Sequence, residues 1–495
     1  MTESQTSAGR RRAEIVAPFI DGELTNSRSD ATEEVIDPSN GRCLFAIPAG
    51  SDADVDRAVC SARAGFERGC WADAPTLRSR ALHRLADLVY GEAASLDALD
   101  AGEMGKPVHE PFANAAAAAG LMRFYAEAVD KVTGDVYTEG KSRLVAQRRV
   151  PRGVVAAVVP WNFPTYNAVL KSAPALAAGN SVVLKPSEMS SRSAIRLANL
   201  AMEAGLPPGI FNVVPGLGST IGRALGLHAD VDMLTFTGST AVGKKMMQYA
   251  GQSNMKAVLA ECGGKSPQIV FNDGVDLDAA AETIGGMLLI NQGQLCSVGS
   301  RLVVQRSIET PLIEKIANRL KRIVMGNALD PRTTFGPLVS ATQCSRVMEY
   351  IESAGVEGGE LVLGGKRALL ETGGFFVEPT LFRKVAPESR VAQDEIFGPV
   401  LTVTTFQDEA EAIRIANSTM YGLMAYVWTT HISTGLRMAR GIRSSIVVHA
   451  NAPTGEGAGY ASSFEPARQS GIGTEGGLAG MESYLRRQLV CINHS

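Results

Sequence analysis

No stretch of this 495-residue sequence reaches the roughly 18 apolar residues that a membrane-crossing helix needs. The nearest candidate, Val154 to Trp161, is broken at once by Asn162 and Pro164. Excess positive charge is missing too: 48 Lys and Arg against 51 Asp and Glu leave a net charge of −3, which argues against nucleic acid or anionic lipid as a partner. The seven cysteines, at 43, 60, 70, 262, 296, 344 and 491, are odd in number, scattered and never arranged as CxxC. That excludes a disulfide framework, a zinc site or a dithiol switch; no metal is expected, and a reducing, cytoplasmic setting fits. The amino terminus, MTESQTSAGRRRAEIVAPF, lacks the apolar stretch of a secretory signal, and Arg10, Arg11 and Arg12 read as a solvated tail. Low-complexity tracts and fixed-period repeats are also absent, which excludes solenoids and propellers.

What remains is globular: 45% hydrophobic and 20% charged residues, in a chain too long for one core, so two or three packed units are expected. Residues 54 to 130 repeat apolar positions at helical spacing, as in VDRAVCSARAGF and RALHRLADLVYGEAASLDAL. From 150 onward, short apolar runs alternate with amphipathic segments, the pattern of a parallel sheet with helical crossovers. Strands are expected at Val154 to Val159, Ser181 to Lys185, Phe211 to Val214, Met233 to Phe236 and Ala257 to Glu261, with helices around 165–177, 190–204, 219–226 and 240–250. A second α/β alternation runs from Gln268 to about Val448, with VVQRS, VLTVTTF and SSIVVHA as strands and 309–324 as a helix. Residues 135–150 read as a polar hairpin, and YLRRQLVCIN near the end as a strand with no partner nearby in sequence. Either both are open edges that build a subunit interface, or they pair within the monomer.

The usual dinucleotide fingerprint, GxGxxG after the first strand, is absent: that strand runs on as VVAAVVPWNFP. Gly216, Gly218 and Gly222 form a GxGxxxG that reads better as a glycine-rich turn. In FTGSTAVGKKM a strand ends at Thr237, Gly238 and Ser239 and a helix begins, so free backbone N–H groups could face a pyrophosphate, or Ser239 or Thr240 could simply cap the helix. In KPSE, Glu188 could accept both hydroxyls of a ribose and Lys185 could donate to them; a carboxylate there repels a 2′-phosphate and favours NAD over NADP, although a solvated pair explains the same residues. Cys296, in the polar stretch NQGQLCSVGSR, is oddly placed for a buried structural cysteine. Glu261 ends a strand before Cys262, Gly263 and Gly264, where its carboxylate can project into a cleft.

PWNFP (160–164), KPSE (185–188), FTGST (236–240), ECGGK (261–265), GQLC (293–296) and EIFGPV (395–400), in this order, resemble the aldehyde dehydrogenase superfamily from about Phe19 to about Val490. The resemblance implies an α/β fold with two Rossmann-like domains plus a small β oligomerisation domain. Its cofactor domain would take residues 1–132 and 152–262, its catalytic domain 263–478, and its oligomerisation segments 133–151 and 479–495 of a homodimer or homotetramer. It implies oxidation of an aldehyde to the acid with NAD, NADP being the lesser alternative. Cys296 would be the nucleophile, Glu261 the general base and Asn162 the side-chain donor of the oxyanion hole, with Lys171 and Glu475 passing protons from the base toward solvent. Cofactor contacts would come from Pro160, Trp161, Lys185, Glu188, Gly218, Phe236, Gly238, Ser239, Glu395 and Phe397, and substrate contacts from Tyr166, Asn167, Leu170, Leu295, Ser297 and Phe464.

The sequence departs from that pattern in two places. Residue 262 is Cys where Leu or Ala is common, and from His449 to Phe464 and beyond the usual VN and PFGGxKxSG give way to a lengthened loop, with Glu465 and Pro466 where two glycines are usual. His449 reads as a hydrogen-bonded structural residue rather than a ligand or base. Tyr166 and Asn167, where apolar tunnel residues are common, suggest a polar or aromatic substrate, and SNMKAVLAECGGKS resembles the branch acting on aminoaldehydes, including gamma-glutamylaminobutyraldehyde. The rival readings are an acyl-CoA-forming relative, which generally lacks the carboxylate present here as Glu261, and a silent scaffold of the same fold.

Overall fold

A computed structural model of the chain describes residues 14–137, 142–451 and 459–493. The arginine tail (10–12) and residues 452–458 of the altered loop lie outside these.

Val154–Val158 is made of Val and Ala buried on both faces, which suits the centre of a parallel sheet. Ser181–Lys185 and Met233–Thr237 flank it in parallel, and Phe211–Val213 and Ala257–Glu261 extend the sheet on either side. Antiparallel strands close both ends: Phe19–Ile20 and Glu23–Leu24 beyond Phe211–Val213, and Gly471–Ile472 beside Ala257–Glu261, for eight strands in all. The last of these comes from far down the chain, past the whole second α/β unit. Helices Pro75–Gly91, Ala115–Ala128, Pro164–Ala177 and Arg192–Glu203 cover one face, and Asp52–Glu67 and Thr240–Gln252 the other, each with its own apolar cluster.

The second unit is a seven-stranded sheet, ordered Glu360–Leu363, Thr380–Arg383, Val400–Phe406, Arg301–Gln305, Pro267–Val270, Met424–Trp428 and Ile446–His449, parallel except for the first pair. The expected elements are present with trimmed ends. Helix Glu309–Leu320 stops short of 324, and the VVQRS strand ends at Gln305 because Arg306–Ile308 turns into a 3₁₀ segment. The GxGxxxG stretch opens on a π-helical turn, Gly218–Gly222, before Arg223–Leu227.

Of the two readings the sequence left open for segments 135–150 and YLRRQLVCIN, pairing within the monomer is the one observed. Leu485–Asn493 pairs antiparallel with Arg143–Pro151 in continuous register from Leu485 opposite Pro151 to Asn493 opposite Arg143, and Asp135–Tyr137 adds the third strand. Periodicity could not reveal this pairing because more than 330 residues separate the strands. Leu485–Asn493 is an outer strand of this sheet, and its Leu489 and Ile492 are exposed. Among the described residues, no helix is long and apolar enough to cross a membrane, and no group of His, Cys, Asp and Glu is placed to hold a metal.

Candidate active site

Parallel strands deliver their C-terminal ends to one rim, and the motif residues collect there. Glu261 ends its strand and Asn162 follows Val154–Val158; Asn162 lies just before Pro164–Ala177, whose Thr165 N–H is anchored on the buried Asp100 carboxylate at 3.1 Å. Asn162 reaches across to the segment that carries Cys296: its amide donates to the Gln294 carbonyl at 3.1 Å, and its own carbonyl accepts from the Asn291 amide at 2.7 Å. Asn167, expected at the substrate, instead turns inward and donates to Asn162 Oδ1 at 3.2 Å, fixing the orientation of that amide.

Cys296 is half-buried on a turn closed by the Val298 N–H on the Leu295 carbonyl, with Leu295 and Val298 in the core beneath. Gly264 lies against it so closely that a Cβ there would meet the Cys296 carbonyl oxygen at 2.4 Å. Burial, followed by the Glu261 and Glu395 carboxylates, pushes the Cys296 thiol up to about 12. Burial and the neighbouring Glu475 carboxylate hold the Glu261 carboxyl well above the usual range, while the Lys171 ammonium pulls it down. Lys171 and Glu475 form a buried ion pair, Nζ to Oε1 2.6 Å, with Glu475 held in place by reciprocal backbone hydrogen bonds to Phe464. Glu261, Lys171, Glu475 and Cys296 therefore share one electrostatic environment.

Beside it, the Gly264 N–H donates to Glu395 Oε1 at 3.0 Å, and Glu395, driven up by burial, reaches about 7. Phe397, at the left-handed φ of 59°, meets the Trp161 ring edge-on at a centroid distance of 5.3 Å. Along the same rim Lys185 is buried and donates to Glu188 at 3.1 Å, so the solvated-pair reading fails for the lysine, although Glu188 keeps 40% exposure. The Ser239 hydroxyl accepts from the Val242 N–H at 3.4 Å as an N-cap, and Thr237 Oγ1 is buried without a partner. A Cβ at Gly238 would lie 2.6 Å from the Phe236 ring, so a side chain there would force that ring to move, whereas Gly218 faces open space. A diol-accepting carboxylate, an uncovered helix start and an orphan hydroxyl on one rim fit a dinucleotide cofactor.

Tyr166 lies partly buried near Tyr460 and Glu475, its phenol raised to about 12 chiefly by burial, while Leu170 packs on the apolar cluster beneath. Tyr460, from the altered loop, donates to the Ala117 carbonyl at 3.1 Å. His449 Nε2 lies 2.7 Å from the Thr429 carbonyl, the structural role expected of it. Cys262 is buried in the core cluster of Phe236 and Met246. A cavity of about 890 Å³ beside Ala341–Val356 is lined by none of the motif residues.

Sequence reading missed Asn291 and Gln292, whose φ values of 45° and 55° bend the chain ahead of Cys296, and Gln294, which accepts the Val339 N–H at 3.1 Å. Three amides in four residues inside an apolar context were the available signal.

The aldehyde dehydrogenase family profile matches residues 24–490. The chain is 42% identical over 477 residues to the NADP/NAD-dependent aldehyde dehydrogenase PuuC of Escherichia coli (strain K12), covering 96% of this chain and 95% of that protein. It superimposes with a TM-score of 0.93 on gamma-glutamyl-gamma-aminobutyraldehyde dehydrogenase from Burkholderia cenocepacia J2315, at 45% identity over 98% of this chain and 97% of that one. The TM-score is also 0.93 for the P. syringae indole-3-acetaldehyde dehydrogenase AldA solved with NAD+ and IAA, at 44% identity over 96% of each chain. With its motifs in order, its two sheets in place and its likeness running nearly end to end, this chain belongs to the aldehyde dehydrogenase family and is an oxidoreductase acting on aldehydes.

Proposed function

We propose that the chain oxidises an aldehyde to its carboxylic acid with NAD, through a covalent bond to Cys296. The observation that carries this reading is the bridge from the Asn162 amide to the Gln294 carbonyl, because it brings an amide donor to the segment bearing the cysteine. As the Cys296 thiol gives its proton to the neighbouring Glu261 carboxylate, its sulfur adds to the aldehyde carbon, and the oxyanion so formed is met by the Asn162 amide and the Cys296 backbone N–H, each such donor contributing about 3 kcal/mol. When bound, NAD supplies the hydride acceptor. Glu395 and Phe397 orient its nicotinamide end, Glu188 and Lys185 hold the adenosine ribose, and Ser239 lies at the pyrophosphate. Glu261 then takes a proton from the water that hydrolyses the thioester, and a carboxyl raised by burial is a stronger base than a solvated one. Lys171 and Glu475 carry that proton outward.

Residues 1–132 and 152–262 form the cofactor domain and 263–478 the catalytic domain, with Gly471–Ile472 crossing back into the first sheet. Segments 133–151 and 479–495 build the interface of a homodimer or homotetramer, the exposed edge of Leu485–Asn493 being the surface available for it. The protein works in the cytoplasm. Its substrate is a polar, amino or aromatic aldehyde, in keeping with Tyr166 and Tyr460 and with the names of its relatives. Glu188 favours NAD over NADP.

The test is a panel of aldehydes with NAD, following the reduced cofactor. Cys296→Ala should abolish turnover, and activity surviving that change refutes covalent catalysis by this residue. Glu261→Gln should still give a first burst of reduced cofactor while steady turnover collapses.

A further inference from the structure

Two carbonyls sit at the centre of the turn that carries Cys296, and each is held from a different side. That of Cys296 abuts Gly264; that of Ser297 accepts a hydrogen bond from the Tyr426 hydroxyl at 3.0 Å. Among the described residues this is the one side-chain hydrogen bond onto the backbone of Leu295–Val298. Tyr426 owes its place to strand alternation. On Met424–Trp428, Ala425 and Val427 enter the cluster beneath Ile415 and Met438, while Tyr426 and Trp428 enter the opposite cluster with Leu295 and Val298. The ring lies between Gln268 and Val448 on the neighbouring strands, so its direction is set by the sheet. Among the described residues, the Ser297 carbonyl and, at 3.4 Å, the Met424 sulfur accept from its hydroxyl. Burial and the neighbouring Cys296 charge both raise the phenol, so it stays protonated, a donor at every working pH.

The structure assigns Tyr426 as a positioning residue for the nucleophile: by holding the Ser297 carbonyl it fixes the turn that presents the Cys296 sulfur and N–H to the aldehyde. This rests on the reading of Cys296 as nucleophile. Fixing matters because a reactive atom displaced by about 1 Å can cost a hundredfold in rate, and a turn of four residues has few other restraints. Tyr426 touches neither reacting atom, so its effect is on the attack geometry and not on aldehyde affinity.

Tyr426→Phe keeps the ring and removes the one bond. A neutral hydrogen bond contributes up to about 1.5 kcal/mol, so the burst rate of reduced cofactor should fall roughly tenfold, equivalent to 1.4 kcal/mol. The aldehyde KM should stay within about twofold. A second readout needs no cofactor: iodoacetamide alkylation of Cys296, followed by peptide mass, should slow in Tyr426→Phe and show a changed pH profile. A variant that alkylates and bursts like the parent overturns the assignment, and so does a fall in activity matched by global unfolding with no change in the alkylation profile of the folded fraction. Cys296→Ala run alongside separates the two claims. If it retains turnover the nucleophile reading fails, whereas the alkylation comparison tests Tyr426 by itself.

Discussion

Glu395 offers the cleanest test of the site's electrostatics, in the protein without cofactor. Its carboxyl rises from 4.5 to about 7 because burial disfavours the charge more than the Gly264 N–H favours it. The folded protein therefore holds this proton more tightly than the unfolded chain does. The associated stability is fully present below about pH 4.5, drains away between 4.5 and 7, and is gone above that. At 1.36 kcal/mol per pH unit the full effect is roughly 3 kcal/mol, and between pH 5 and pH 8, with the residue retaining some solvent contact, about 2 kcal/mol. Glu395→Gln has no proton to lose but keeps an acceptor for Gly264. Urea unfolding followed by tryptophan fluorescence, at matched protein concentration, should show the variant gaining about 2 kcal/mol relative to the parent from pH 5 to pH 8. Lys265, lowered to about 7 chiefly by burial and lifted by the Glu395 carboxylate, titrates in the same window, so the comparison is made in a Lys265→Met background to isolate this carboxyl. Curves that stay parallel within about 0.5 kcal/mol would refute the reasoning.

Lys171→Met should destabilise the protein by about 3–5 kcal/mol, because it strands the Glu475 carboxylate in the interior. It should also move the acid limb of the kcat profile to higher pH, since the cation that pulls the Glu261 carboxyl down is gone; adding Glu475→Gln should restore melting temperature, and an unshifted limb would remove Lys171 from the proton path. Gly264→Ala should cost about 1–3 kcal/mol of stability and more than tenfold in turnover, because its methyl would meet the Cys296 carbonyl oxygen at 2.4 Å. Thermal melts and burst kinetics check this, and a fully active alanine variant would mean that the turn has slack.

The elements legible in the sequence were those whose signal is local. Val154–Val158 and Ser181–Lys185 announce themselves as β-branched runs between turns, and the motif order supplied the remaining site residues. Pairing over long separations was illegible: nothing in YLRRQLVCIN names Arg143–Pro151, and nothing in SGIG names the edge beside Glu261. Sequence places Asn167 on the active-site helix without saying which way it turns, and its hydrogen bond to Asn162 supplies that direction. Tyr426 was invisible for the same reason. A tyrosine in an apolar strand reads as packing until the partner of its hydroxyl is known.

Gly471 lies opposite Glu261 at the sheet's far edge, four residues before Glu475. During synthesis the base would thus be made some two hundred residues before the strand that completes its surroundings. A nascent chain would leave Glu261 at an unfinished rim, facing water and without the Lys171–Glu475 ion pair beside it, until Gly471 to Glu475 have emerged. Competence would arrive as a single event with that segment, and fragments ending before about residue 470 should have no partial activity to display.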